Sequence, residues 1–134
     1  MEKKNIDWSS IGFGYMPTDY RYVSNFKDGK WDEGTLSTDP NIVLNECAGV
    51  LQYSQSVFEG LKAYTTEDGH IVTFRPDLNA ERIAASAARL EMPVFPKERF
   101  IDAVEQVVKA NAAWVPPYGS GATLYLRPYM FGSN

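Results

Sequence analysis

The change of character at Leu78 constrains this chain more than anything else in it. Before that point, aromatic and β-branched runs alternate with turn signals; from Leu78 to Leu90 the chain is Ala-rich, free of Gly and Pro, with Leu78, Ile83, Ala87 and Leu90 at roughly helical intervals. A chain that switches from a strand period to a helix period cannot be one uniform layer. It must fold its strands and helices against each other. The helix starts between Pro76 and Asn79, where Asp77 and Asn79 are both acceptable N-caps and Pro76 suits entry to a first turn. A second helix runs from about Lys97 to Trp114, with Phe100, Ala103, Val104, Val107, Val108 and Asn111 along one side, and Pro116-Pro117 stops it.

The strands come in hairpins. Tyr20 to Phe26 leads through Lys27-Asp28-Gly29-Lys30, a tight-turn sequence, into Trp31 to Leu36. Gly60 to Tyr64 and Ile71 to Arg75 flank Thr66 to His70 and form a second hairpin, and Ala122 to Phe131 reads as one final strand. The expected fold class is α+β, a mostly antiparallel sheet with two helices packed on one face, in a single domain spanning residues 1–134.

Composition excludes several partners. Thirteen basic and seventeen acidic side chains give a net charge of −4 without long single-sign runs, which argues against nucleic acid or an anionic membrane. No apolar run reaches the roughly 20 residues of a membrane helix, and the charged opening Met1 to Asn5 leads into no signal-peptide core, so a cytoplasmic protein with small-molecule partners is expected. Cys47 has no second Cys for a disulfide, metal or redox pair and reads as buried filler. His70, in a turn, reads as a solvated residue; being the only histidine, it leaves a Ser–His or Cys–His nucleophile little to build on, and no metal site is expected.

Three segments can carry chemistry. In Leu124-Tyr125-Leu126-Arg127-Pro128 the period of two puts Tyr125 and Arg127 on one face. An Arg on a half-buried strand face needs an internal carboxylate or else forms an anion pocket. Arg82 lies one turn into the first helix, either solvated and paired with Glu81 or another carboxylate, or holding an anion near a helix N-terminus. Leu51 to Tyr64 is too polar at Gln52, Ser54, Gln55 and Ser56 for a plain core strand and reads as a loop or short turn presenting Tyr53 and Phe58 to a cavity, although aromatics there can also fill a core.

Taken in order, Tyr53-x-x-x-x-Phe58-Glu59-Gly60-Leu61-Lys62-Ala63-Tyr64, Phe74-Arg75-Pro76-Asp77-Leu78-Asn79-Ala80-Glu81-Arg82, Ser86-Ala87-Ala88-Arg89-Leu90 and Leu124-Tyr125-Leu126-Arg127-Pro128 resemble the branched-chain amino-acid aminotransferases, pyridoxal 5'-phosphate enzymes of fold type IV. The resemblance runs from about Gly12 to Asn134 and corresponds to the smaller, N-terminal domain of such an enzyme. It implies that Arg82 holds the cofactor phosphate, that Tyr53, Phe58 and Tyr125 line the substrate side-chain pocket, and that Arg127 receives the distal carboxylate of glutamate. The family also places an aromatic just before a Thr-Asp pair near the N-terminus; here Pro17 precedes Thr18-Asp19 and the nearest aromatic, Tyr15, is the candidate.

The family's catalytic lysine belongs to a C-terminal domain, and no lysine of this chain stands in a matching context, so no catalytic residue is expected here and the chain alone is expected to be inactive. The complete enzyme is expected to be a homodimer that moves an amino group from leucine, isoleucine or valine to 2-oxoglutarate. Two alternatives stay open: a related D-amino-acid aminotransferase or aminodeoxychorismate lyase domain, and a non-catalytic association fragment of the same fold.

Overall fold

The computed structural model describes residues 2–12 and 14–133. Its first hairpin forms where the turn residues require it, with Asp28 (φ 54°) and Gly29 (φ 81°) in the left-handed conformations of a two-residue turn. It is zipped in two places. Strand β1 (Arg21–Val23) pairs antiparallel with β4 (Thr35–Ser37), and β2 (Phe26–Lys27) with β3 (Lys30–Trp31). Between these ladders the Asp32 carboxylate accepts from Ser24 Oγ at 2.8 Å, Asn25 N at 3.1 Å and Gly34 N at 2.9 Å, replacing the ladder bonds that the irregular stretch gives up.

The chain then makes a short helix α1 (Gly49–Tyr53), closed by Ser54 in the left-handed region (φ 54°), and a strand β5 (Ser56–Phe58). A helix turn and a strand thus replace the loop expected from the polar residues of this segment. The reason lies outside the segment, since β5 pairs with residues 129–131 of the chain's last strand. The second hairpin, β6 (Leu61–Thr65) and β7 (Ile71–Thr73), is found as expected, with Tyr64 opposite Val72.

Helix α2 (Pro76–Arg89) begins earlier than its candidate caps. Arg75 takes the N-cap position with φ 48°, and Pro76 occupies the first turn, where its missing N–H costs nothing. Asp77 acts from within the first turn, accepting from Arg75 Nε at 3.0 Å and Nη2 at 2.8 Å. Ala80, Ile83 and Ala87 are buried, whereas Leu78 and Leu90, assigned to the inner stripe by spacing, are exposed. Helix α3 (Lys97–Ala110) buries Phe100, Val104 and Val108; a 3-10 turn at 112–114 completes the stretch that reads as one helix in the sequence.

The final strand is broken in two. Strand β8 (Leu124–Leu126) adds to the edge of β6, giving the order β7-β6-β8, while β9 (Tyr129–Phe131) crosses to β5. Arg127-Pro128 is the crossing point. Pro128 has no N–H to continue a ladder, and its carbonyl instead accepts from Glu59 N at 2.8 Å. The antiparallel α+β class holds, but among the described residues the strands form four small sheets where one was expected.

Leu61 and Ala63 of β6, Leu126 of β8 and Val57 of β5 join α2 and α3 in one apolar core. The alternation of β6 and β8 therefore sends Lys62, Tyr64 and Tyr125 away from that core. Helices α2 and α3 cover the core-facing residues of these strands, while Lys62, Tyr64 and Tyr125 are exposed. Cys47 is exposed, in contrast to the buried filler its apolar character suggests.

Candidate functional site

Three consecutive residues between β5 and β6 organise the site. Phe58 ends β5 with its ring 60% exposed; Glu59 turns inward and is 4% exposed; Gly60 precedes β6. Each serves a different side chain.

Glu59 receives Arg82 side-on. Nε donates to Oε2 and one Nη to Oε1, both at 2.6 Å, the paired geometry of a strong charge-assisted bond. Asn79, one turn before Arg82 on the same helix face, donates from Nδ2 to Oε1 at 2.9 Å and to Gly60 O at 3.2 Å. The bonds from Arg82 hold the Glu59 carboxyl below its ordinary value, against the opposing effect of burial, with Asn79 adding to the lowering. The same pairing raises Arg82. The partner of Arg82 is thus Glu59, not its neighbour Glu81, which binds Lys97 at 3.3 Å. The Arg82 side chain nevertheless remains 68% exposed, so the edge turned away from Glu59 stays open to solvent.

Gly60 makes room for Tyr125. A Cβ at position 60 would collide with the phenol, its Cζ lying 2.9 Å away. The ring rests on this bare backbone and accepts at Oη from Arg127 Nη2 at 2.9 Å. Tyr125 and Arg127 therefore do share a face, as their spacing requires.

Arg127 is exposed, not half-buried, and it makes no ion pair with a carboxylate among the described residues. Its guanidinium lies 4.4 Å from the centroid of Phe58 and 5.2 Å from that of Tyr125, so aromatic faces replace the missing anion as its immediate surroundings. This removes the internal-bridge alternative for Arg127. On the Tyr125 side, a cleft of about 400 Å³ is lined by Gly60, Lys62, Tyr64, Phe74, Tyr125 and, from α2, Asn79 among others.

Arg127 thus contacts both Phe58 and Tyr125, and Arg82 is tied to this stretch of chain through Glu59. Tyr53 and Tyr15 are not drawn into this arrangement. Tyr53 ends α1 with 85% of its surface exposed; Tyr15, 84% exposed, lines a separate hollow of about 320 Å³ with Ile6, Asp7 and Ser10. Glu59 is the participant that sequence reading passed over; Asn79-x-x-Arg82 is by itself a weak motif. The signal was there: Asn79 and Arg82 are three apart on one helix face, which asks what anion they share. His70 lies in its turn as expected, 77% exposed and 2.8 Å from Asp68. No group of His, Cys, Asp and Glu among the described residues is arranged to hold a metal ion.

No family model matches the chain. It is 54% identical over 129 residues, 96% of its length, to a branched-chain-amino-acid aminotransferase of Haemophilus influenzae, and 45% identical over 129 residues to one of Helicobacter pylori. A methionine aminotransferase of Arabidopsis thaliana is 48% identical over 131 residues. The chain spans 38%, 38% and 37% of these relatives, respectively. Among solved structures, a T.th. branched-chain amino acid aminotransferase complexed with N-(5'-phosphopyridoxyl)-L-glutamate matches 89% of this chain with TM-score 0.66 and 25% identity, through 35% of its own length. The Escherichia coli branched-chain amino acid aminotransferase matches 87% with TM-score 0.64 at 24% identity, a likeness of fold.

Proposed function

We propose that this chain, a homologue along nearly all its length of the N-terminal part of the branched-chain aminotransferases, supplies the substrate-side wall and one phosphate arm of a pyridoxal-phosphate-dependent transaminase. The complete enzyme would transfer the amino group of leucine, isoleucine or valine to 2-oxoglutarate. The observation that carries this reading is Arg127, a permanent cation with no carboxylate partner among the described residues, set on the ring of Phe58 and bonded to Tyr125 beside an aromatic cleft.

A branched side chain and the distal carboxylate of glutamate have opposite solvation needs, and one pocket that takes both must offer each a surface. The rings of Phe58 and Tyr125 supply apolar area to the first, and the Arg127 guanidinium supplies paired donors to the second. When leucine is bound, the cation keeps its stacking on Phe58 and its bond to Tyr125, so it is not left bare. Tyr53 and Tyr15, exposed here, are proposed to complete the pocket wall.

The donor set fits a phosphate. Arg82 is fixed by Glu59 on one edge and exposed on the other, as an arm for an anion requires. Bound pyridoxal phosphate would supply an electron sink for the amino-acid carbon. The lysine that moves the proton is proposed to belong to a further domain of the enzyme, since Lys62, the lysine on the cleft, is an exposed strand residue opposite Tyr125 in the β6–β8 ladder. The exposed aromatic rings of these strands support a second domain or subunit as their cover, in a cytoplasmic homodimer; no helix among the described residues is long and apolar enough to cross a membrane. The 48% identity to a methionine aminotransferase favours a second reading of the same pocket, in which a flexible thioether side chain replaces the branched one.

The test separates the two kinds of substrate. Arg127→Leu in the complete enzyme is expected to lower kcat/KM for glutamate, and for 2-oxoglutarate in the reverse half-reaction, by about 2–4 kcal/mol while changing leucine far less. Half-reactions must be followed one at a time. Equal losses for both substrates would reduce Arg127 to a structural residue.

A further inference from the structure

A guanidinium has two usable edges: a side edge formed by Nε and one Nη, and an end edge formed by both Nη groups. Glu59 occupies the side edge of Arg82 in full, with both contacts at 2.6 Å. The end edge is what the 68% exposure of the side chain leaves open. A long, flexible Arg would otherwise lose rotamer entropy on binding an anion. Here that loss has already been incurred in folding.

Glu59 is itself held from several directions. Asn79 donates to its Oε1, the same Asn79 donates to Gly60 O, and the Glu59 N–H donates to Pro128 O at 2.8 Å, in the crossing that carries Arg127. Its carboxylate is almost wholly removed from solvent, 4% exposed, so water hardly competes with Arg82 and Asn79 for its oxygens. A buried acid costs free energy unless it is paired. In this pair the anion is buried and the cation is not.

We propose that Glu59 is a positioning residue for the phosphate arm: it clamps the side edge of Arg82, with Asn79 locking the clamp, and so presents the end edge of the guanidinium as a preformed fork for a phosphate. This rests on the proposed reading of Arg82 as the phosphate arm. The fork discriminates for the phosphate group and is indifferent to the ring that carries it. Glu59 does so without touching the ligand.

The experiment compares pyridoxal phosphate with pyridoxal, which lacks the phosphate, as ligands of the complete apo-enzyme, reading equilibrium binding from the absorbance of the bound ring. Arg82→Ala sets the reference, with an expected loss of phosphate preference of roughly a hundredfold. Glu59→Gln keeps the shape and removes the charge and one acceptor; it is expected to lower the preference roughly tenfold, as loss of a positioning partner does elsewhere, with pyridoxal affinity unchanged. Asn79→Ala, which leaves the ion pair in place, should give a smaller loss of the same preference, and it carries the test if Glu59→Gln does not fold. Glu59→Gln in the Arg82→Ala background should add nothing. If Arg82→Ala leaves the preference intact, the phosphate reading itself is wrong. If Arg82→Ala abolishes it while Glu59→Gln and Asn79→Ala leave it unchanged, raise it, or weaken both ligands equally, Glu59 is structural and the positioning role is overturned.

Discussion

Phe58, Glu59 and Gly60 show how much function a strand connection can hold when every residue faces a different neighbour. The glycine contributes by lacking a side chain. Gly60→Ala would push Tyr125 off the backbone and break its bond with Arg127. The ring is 37% exposed and can swing outward, so the expected loss of stability lies near the low end of the roughly 1–3 kcal/mol typical of overpacking. Denaturant unfolding of the chain measures this, with Gly12→Ala, where nothing lies within 4 Å, as the silent control. In the complete enzyme the same substitution should cost glutamate more than leucine, because it displaces the hydroxyl that orients Arg127. A stability loss no greater than that of Gly12→Ala would mean that Tyr125 does not rest on Gly60.

At the scale of elements, the end of α3 is fastened by one amide. Asn111, 2% exposed, accepts at Oδ1 from Asp19 N at 3.0 Å and Tyr20 N at 2.9 Å, and donates from Nδ2 to Tyr20 O and Val107 O, both at 2.9 Å. It closes the helix and ties it to the segment entering β1. Asn111→Ala strips partners from several backbone groups at once and should cost about 2–4 kcal/mol in urea unfolding, since each unsatisfied buried group costs about 1–3 kcal/mol. A change under about 0.5 kcal/mol would show that water replaces the amide freely. At the other helix, hydrogen bonds and charge from Arg75 bring the Asp77 carboxyl from 3.8 down to about 2. A folded value below the unfolded one means that the stabilisation is complete above pH 3.8 and fades as pH falls through about 2. An NMR titration of the chain should place the Asp77 midpoint near 2, and Arg75→Ala should return it toward the ordinary carboxylate value. An unshifted midpoint in the parent chain would remove the pair from the account of how α2 begins.

For the molecule as a whole, the two faces of the strands differ in kind. The core-facing residues of β5, β6 and β8 are covered by α2 and α3, whereas Phe74 is 77% exposed, Phe58 60% and Tyr129 49%. Exposed aromatic rings of this kind favour association. The 134-residue chain by itself should therefore self-associate with rising concentration, and light scattering should show its mean mass climbing above that of a 15.0 kDa monomer. Replacing Phe58 and Phe74 together by Ser should bring the mass back toward monomer. A clean monomer at high concentration would mean that the exposed rings need no cover.

The sequence by itself determined what local chemistry determines. The Asp28-Gly29 turn, the hairpin around residues 66–70 and the bodies of both long helices follow from backbone preference and from periods of two and 3.6 residues. The shared face of Tyr125 and Arg127 follows from the same period, and the four motif segments pointed to the aminotransferase family that the relatives at 45–54% identity bear out. What only the tertiary structure decided are pairings between distant segments. Residues 51–58 look like a loop or short turn until Tyr129–Phe131 arrives to make β5 a strand. The run from Ala122 to Phe131 looks like one strand until Pro128 divides it between two partners. Leu78, Leu90 and Cys47 are apolar by type, but position left them outside the core. Arg82 offered several possible carboxylates, and only the folding of β5 against α2 selected Glu59, because an ion pair is a matter of distance in space and the residues that form this one are 23 apart in the chain.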